Sequence, residues 1–278
     1  MRIYQIILFS LLLFLISCGA PKTVVNYQQL ASDSMEVDQY SLAIEHLQKY
    51  ISQQVANEQI IDPKVYAELG KAYFKSEQYE KAEESFDRAR DKNYADGEMY
   101  VMMSQRYRSI DNLSKEITAL EYYRDHLSPT KDSSQMRNRL FETYVISENW
   151  QKAENTWSLM DSTTKEKGSY LQYYFDLKRE IEDKEACDSL AEKLLNINPK
   201  NMDALEWLAK KYYYLAENRY QSSMETYNEK KTNKQYKILL KELDMVTADF
   251  KKSLKYFEPL WEMEDGKKYA VYLANIYA

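Results

Sequence analysis

Glycine and proline are scarce, five of each in 278 residues, far below the roughly 12% share of an average chain. That scarcity removes the raw material of collagen, of flexible low-complexity linkers and of turn-dense β-sandwiches. Histidine and cysteine number two each, too few for a disulfide framework or for a His- or Cys-rich metal site. Basic residues are not in excess: 38 against 44 acidic residues leave a net charge of −6, whereas a nucleic-acid binder needs a dense basic footprint to release counterions. No Gly-rich phosphate loop and no nucleophile elbow is found. The expectations are therefore no catalytic residues, no metal, no cofactor and no nucleic-acid partner.

What is present is 44% hydrophobic residues, enough for a core, and 26 tyrosines, amphipathic rings suited to packing between helices with the hydroxyl at the water edge. The one long apolar run, Ile3 to Ile16, follows Met1 and Arg2 and ends in Ser17, Cys18, Gly19 and Ala20. A positive start, a short apolar stretch and small residues after it predict an export signal, too short to span a bilayer comfortably as a permanent helix. Leu15-Ile16-Ser17-Cys18 resembles the lipobox of bacterial lipoproteins of the Bacteroidetes kind. The resemblance implies that residues 1–17 are a signal peptide, that Cys18 becomes an acylated first residue and that 18–26 form a tether. Three acyl chains exceed the two-signal threshold for stable anchoring. No acidic run follows Cys18, so the expected location is the outer membrane, facing the periplasm.

The rest of the chain is self-similar. Tyr66, Leu69, Gly70 and Tyr73, then Tyr79, Ala82, Phe86 and Ala89, alternate bulky residues with small ones, as two antiparallel helices require where their backbones approach closely. This pattern resembles the tetratricopeptide repeat, lacking only its terminal proline. Weaker copies follow the same spacing. Tyr27, Leu30, Ala31, Tyr40, Ala43 and Leu47 form one. Tyr100, Met103, Ser104, Tyr107, Leu113 and Leu120 form another, with Glu116 where a small residue belongs. Leu140, Tyr144, Trp150, Ala153 and Trp157 give a third, with Phe141 in a small-residue slot. Tyr170, Tyr173, Leu177, Ala186 and Leu190 give the fifth repeat in chain order, and Leu205, Leu208, Ala209 and Tyr212 open a sixth. Pro63, Gly97, Pro129, Gly168, Pro199 and Gly266 fall at or near repeat junctions. The dipeptides before Tyr40, Tyr79, Leu113 and Trp150 supply polar turn chemistry inside each hairpin.

The resemblance implies an all-α fold: a right-handed superhelical solenoid of helix-turn-helix repeats, with five repeats over 27–200 and a sixth over 201–278. Asn201 to Phe257 contains neither Pro nor Gly, so two long helices are expected, about 203–229 and 234–263, with Pro259 near the end of the second. A final helix, Tyr269 to Ala278, is apolar nearly all round and resembles half a hairpin.

Other chemistry-bearing residues have plain readings. Cys187 is expected to be a buried structural thiol, His46 and His126 to sit on separate repeats, and the carboxylate pairs Glu83-Glu84 and Glu142 with Glu148 to lie on solvated helix faces. In the family the groove is lined by the first helix of each repeat. The corresponding positions here include Lys71, Phe74 and Lys75, then Arg108, then Phe175 and Lys178, and finally Tyr213. The resemblance implies that the three aromatics anchor a bound segment and that the cations favour an acidic one. Gln28 and Ser32 replace the Lys and Asn with which some members hold a chain-terminal carboxylate. The expected function is a non-catalytic scaffold for protein or peptide segments. Two alternatives stay open: an accessory lipoprotein of an outer-membrane barrel-assembly or secretion complex, and a solenoid-based glycan-processing enzyme.

Overall fold

The computed structural model describes residues 25–263 and 266–278; the expected signal segment and Cys18 lie outside them. Every regular element among the described residues is helical. The α-helices, in chain order, are α1 (Tyr27–Glu36), α2 (Tyr40–Ala56), α3 (Pro63–Lys75), α4 (Tyr79–Asp91), α5 (Gly97–Ser109), α6 (Leu113–Tyr122), α7 (Ser133–Ile146), α8 (Trp150–Ser158), the single turn α9 (Ser162–Lys165), α10 (Gly168–Glu180), α11 (Lys184–Ile197), α12 (Met202–Glu229), α13 (Asn233–Trp261) and α14 (Ala270–Tyr277), with a π-helical turn at Tyr123–Leu127 and a 3-10 turn at Gly266–Tyr269. Two compact units divide between Arg106 and Tyr107, inside α5. The regular repeats were expected to give way to the elongated one at residue 200. Phe175, Cys187, Leu190, Ala204 and Leu208 share one continuous core there.

The turns inside the hairpins carry one chemistry. Asp38, Glu77, Asp111, Glu148 and Glu182 all take left-handed backbone, with φ between 52° and 62°. At Glu77 the amide bonds to Phe74 O, and the amide of the next residue, Gln78, reaches back to Tyr73 O at 2.9 Å; the other four turns repeat both bonds. This is the Schellman closure of a helix C-terminus, usually given to glycine. The residue after each left-handed one also opens the next helix, its carbonyl accepting from the amide four residues on, as Gln78 does from Ala82. Asn112 and Asp183 add a side-chain cap to the Lys115 and Ala186 amides. One residue thus ends a helix and the next begins another, which forces the hairpin at a strain of about 1–2 kcal/mol per non-glycine left-handed residue.

Packing explains the repeat pattern and its departures. A methyl group on Gly70 would lie 2.5 Å from the Phe86 ring and 3.2 Å from Ala82 O, so only glycine lets α3 approach α4 over that buried ring. Where Phe141 replaces a small residue it is fully buried, its ring tilted against Trp157 and Tyr170 and edge-on to Tyr173. Where Glu116 does so, its carboxylate is buried and gripped by both arms of the Arg139 guanidinium at 2.6 and 2.9 Å.

That ion pair belongs to a series. A residue on the first helix of a hairpin reaches back 23 to 25 positions to the second helix of the hairpin before it. Tyr73 receives Gln48, Arg106 meets Glu83 at 2.8 Å, Arg139 meets Glu116, Lys178 meets Glu154 at 3.0 Å and Lys211 meets Asp188 at 2.7 Å.

The breaker-free stretch is occupied by α12 and α13, of 28 and 29 residues. At the root of this hairpin Leu205, Ala209, Tyr213, Phe257 and Leu260 form a core, and Ser253 Oγ donates to Ala209 O at 2.8 Å. A Cβ on Gly266 would stand 2.0 Å from Trp261 O, so the reversal after α13 admits only glycine. α14 then lays Tyr272 against Tyr213 and Phe257, ring centroids 4.9 Å apart in each case. None of its residues is fully buried, and Val271 and Tyr277 face solvent.

Candidate functional site

In the first unit, the exposed faces of α1 and α3 enclose a cleft of about 420 Å³ whose walls include Gln28, Ser32, Met35, Lys64 and Glu68. One turn further along α3, Lys71 is buried, 6% exposed, and its ammonium is held by Glu68 (3.1 Å), Asp96 (2.9 Å) and Glu98 (3.3 Å). Burial works to lower the Lys71 pKa, but the hydrogen bonds and charges of Asp96 and Glu68 outweigh it and hold the group above its ordinary value. Lys71 is thus spent on the protein itself. Phe74 is half-buried edge-on against Tyr79, and Lys75 is exposed.

In the second unit, two of the expected aromatic anchors turn out to be core. Phe175 is 0% exposed in the cluster that joins α10, α11 and α12, and Tyr213 is 7% exposed among Phe257, Leu260 and Tyr269. Each ring lies on the side of its helix that a neighbouring helix covers, so neither can anchor a ligand. Lys178 is likewise withdrawn. It is buried beneath the Tyr174 ring with Glu154 at 3.0 Å and Asp183 at 3.2 Å; burial works to lower its pKa, but the hydrogen bonds it donates to Glu154, Tyr174 and Asp183 outweigh that and raise it. Arg108 is exposed and lies near the Tyr170 phenol, whose pKa is raised by burial and by a hydrogen bond to Glu142. Of the seven groove positions, therefore, Lys75 and Arg108 are open, Phe74 is partly so, and the other four are interior.

A cleft of about 720 Å³ opens beside α12 where that helix runs past the end of the α10–α11 hairpin. Arg179, Lys184 and Asp188 form one wall. Trp207, Lys210, Tyr214 and Leu215 of α12 form the other. Asp188 fixes this wall by accepting from Trp207 Nε1 at 2.9 Å and pairing with Lys211. Below it Glu206 takes Lys210 at 2.5 Å, Lys268 at 3.4 Å and the Tyr269 hydroxyl. Burial opposes its ionisation, yet these partners hold the carboxyl at about 2. Tyr214 and Leu215 are exposed, so the cleft combines fixed charges with open apolar surface. Helical spacing along α12 could have shown this, since 207, 210, 211, 214, 215 and 218 share one face. What the sequence hides is where the shorter neighbouring hairpin stops.

Cys187 is fully buried, and desolvation pushes its thiol up to about 11. His46 stacks on Tyr27 and His126 on Tyr122. Glu83 and Glu142, expected on solvated faces, are instead half-buried: Glu83 meets Arg106 of the adjoining hairpin, and Glu142 pairs with Arg139 on its own helix and with the Tyr170 hydroxyl of the next hairpin. Among the described residues no three His, Cys, Asp or Glu side chains come together as a metal cluster, and no helix is long and apolar enough to cross a membrane.

No protein family and no curated protein matches this sequence. Solved structures do resemble it. A candidate protein-binding protein from Bacteroides ovatus aligns with a TM-score of 0.50 at 16% identity, over 77% of this chain and 98% of its own. The C-terminal part of a TPR repeat-containing protein from Cytophaga hutchinsonii gives 0.43 at 16% identity over 87% and 85%. A tetratricopeptide repeat protein from Parabacteroides merdae gives 0.43 at 12% identity over 91% and 99%. The likeness is one of fold: an all-helical chain of antiparallel hairpins.

Proposed function

We propose that this chain is a non-catalytic scaffold that binds protein segments, held at the periplasmic face of the outer membrane by acyl chains on Cys18. The observation that carries the binding half is the 720 Å³ cleft beside α12, where exposed Tyr214 and Leu215 stand next to the half-buried Trp207 and the cations Arg179 and Lys184. Large rigid rings beside charged side chains are the composition of binding hot spots. The groove reading of Phe175 and Tyr213 passes to these residues. The partner segment that fits carries apolar side chains flanked by carboxylates.

The test replaces Tyr214 and Leu215 by Ser and Lys184 by Glu, all at exposed positions, and compares proteins crosslinked to wild type and variant in cells. Each true hot spot is expected to contribute about 2 kcal/mol, so the triple variant loses those partners while its thermal melt is unchanged. Retention of the same partners would reject the cleft. For the anchor, Cys18→Ala is expected to move the protein out of the membrane fraction, and a variant that still sediments with outer membranes and resists salt extraction would reject it.

A further inference from the structure

Although the chain is acidic overall, the twelve residues 230–241 carry five lysines, Lys230, Lys231, Lys234, Lys237 and Lys241, and no acidic residue. All five are exposed, and none pairs with a described acidic residue. They cap the far end of the α12–α13 hairpin. α12 is about 42 Å long by its rise per residue, against about 20 Å for the 13-residue α10. Beyond Ala216 and Val246 the side-chain pairs of this hairpin join one arm to the other, as Arg219 does with Glu242 and Tyr227 with Tyr236. The tip is therefore a convex projection. Lys234, Lys237 and Lys241 follow helical spacing on one outward face. Beside that face Ile238 and Leu240 are 44% and 45% exposed, and Tyr236, whose ring meets Tyr227 across the arms, still leaves 49% of its surface open.

We propose that this tip docks on an anionic lipid surface. A flat bilayer is reached by a projection rather than by a groove. It offers both things the tip presents to: phosphate charge for clustered lysines, and an interfacial zone where tyrosine and aliphatic side chains are at home. A soluble acidic polymer would satisfy the lysines and leave the apolar side chains in water. This inference does not rest on acylation of Cys18, and it concerns a surface away from the proposed protein-binding cleft.

The experiment uses the full-length chain carrying Cys18→Ala, so that no acyl anchor contributes, and measures co-sedimentation with vesicles of phosphatidylcholine alone or mixed in equal parts with phosphatidylglycerol. Any contribution from the apolar leader is common to both vesicle types. The expected result is a salt-sensitive preference for the anionic vesicles that falls about fivefold for each lysine replaced by Gln, as roughly 1 kcal/mol per charge implies. Ser at 236, 238 and 240 should weaken binding at constant charge. Helical content and melting temperature of each variant, measured in parallel, separate lost docking from lost folding. Absence of an anionic preference, equal binding after all five Lys→Gln changes, or full binding after the three Ser changes with equal capture of polyglutamate or DNA would each overturn the proposal, the last in favour of a purely ionic partner.

Discussion

The α3–α4 and α12–α13 hairpins share a design, yet their buried residues are distributed differently. In α3 eight of thirteen residues are buried, from Val65 to Tyr73. In α12 six of 28 are buried, none beyond Ala216. A helix covered on two sides buries residues along its length, whereas one paired only with its antiparallel partner buries a single stripe. Beyond Ala216 the same helix-forming pattern therefore leaves side chains free to meet something else, and the long hairpin carries both the large cleft and the lysine tip.

The largest expected effect sharpens that contrast. Phe86→Ala, at a fully buried ring over Gly70, should cost about 3–5 kcal/mol, whereas Leu240→Ala on the exposed arm should cost under about 1 kcal/mol. Urea unfolding of the two variants checks it, and comparable losses would mean that the arm is covered by something outside this chain. Charge pairs provide a second, smaller contrast. Arg139→Ala leaves the 2%-exposed Glu116 carboxylate without its partner, a loss of about 3 kcal/mol. Glu242→Ala breaks only a partly exposed pair with Arg219, which keeps its second partner Asp249, and should cost about 1 kcal/mol or less; the same measurement reads both.

The smallest effect concerns pH at the root of the long hairpin. The Glu206 carboxyl sits at about 2 in the folded chain, below its ordinary value near 4.3. Its contribution to stability is therefore complete above about pH 5 and is lost as pH falls from about 4 to about 2. Glu206→Gln should make the melting temperature less sensitive to acid over that interval while lowering it modestly at neutral pH. Parallel acid titrations of wild type and variant would break this reading if the two curves stayed offset by a constant amount.

Much of the fold was legible because it is local. The breaker-free stretch after Asn201 is occupied by two long helices, and the polar dipeptides before Tyr40, Tyr79, Leu113 and Trp150 mark hairpin turns whose left-handed residue is acidic rather than glycine. The candidate site was much less legible. Lys71, Phe175, Lys178 and Tyr213 stand at groove positions by register, and all four are interior. The four charged contacts of the series between hairpins were present in the residue types, with acids on second helices and Arg or Lys 23 or 24 positions later on the first helices that follow. Their register could not be recognised without knowing which helices touch.

The amino-acid sequence by itself determined the helices, their lengths and their turns, because helical periodicity, backbone propensity and closure bonds act within a few residues of one another. Only the tertiary structure decided which side of each helix meets a neighbour. A residue at the border of an apolar stripe becomes groove or core according to where the adjacent helix ends. For Phe175 and Tyr213 that neighbour covers the ring, and for Tyr214 and Leu215 it stops short.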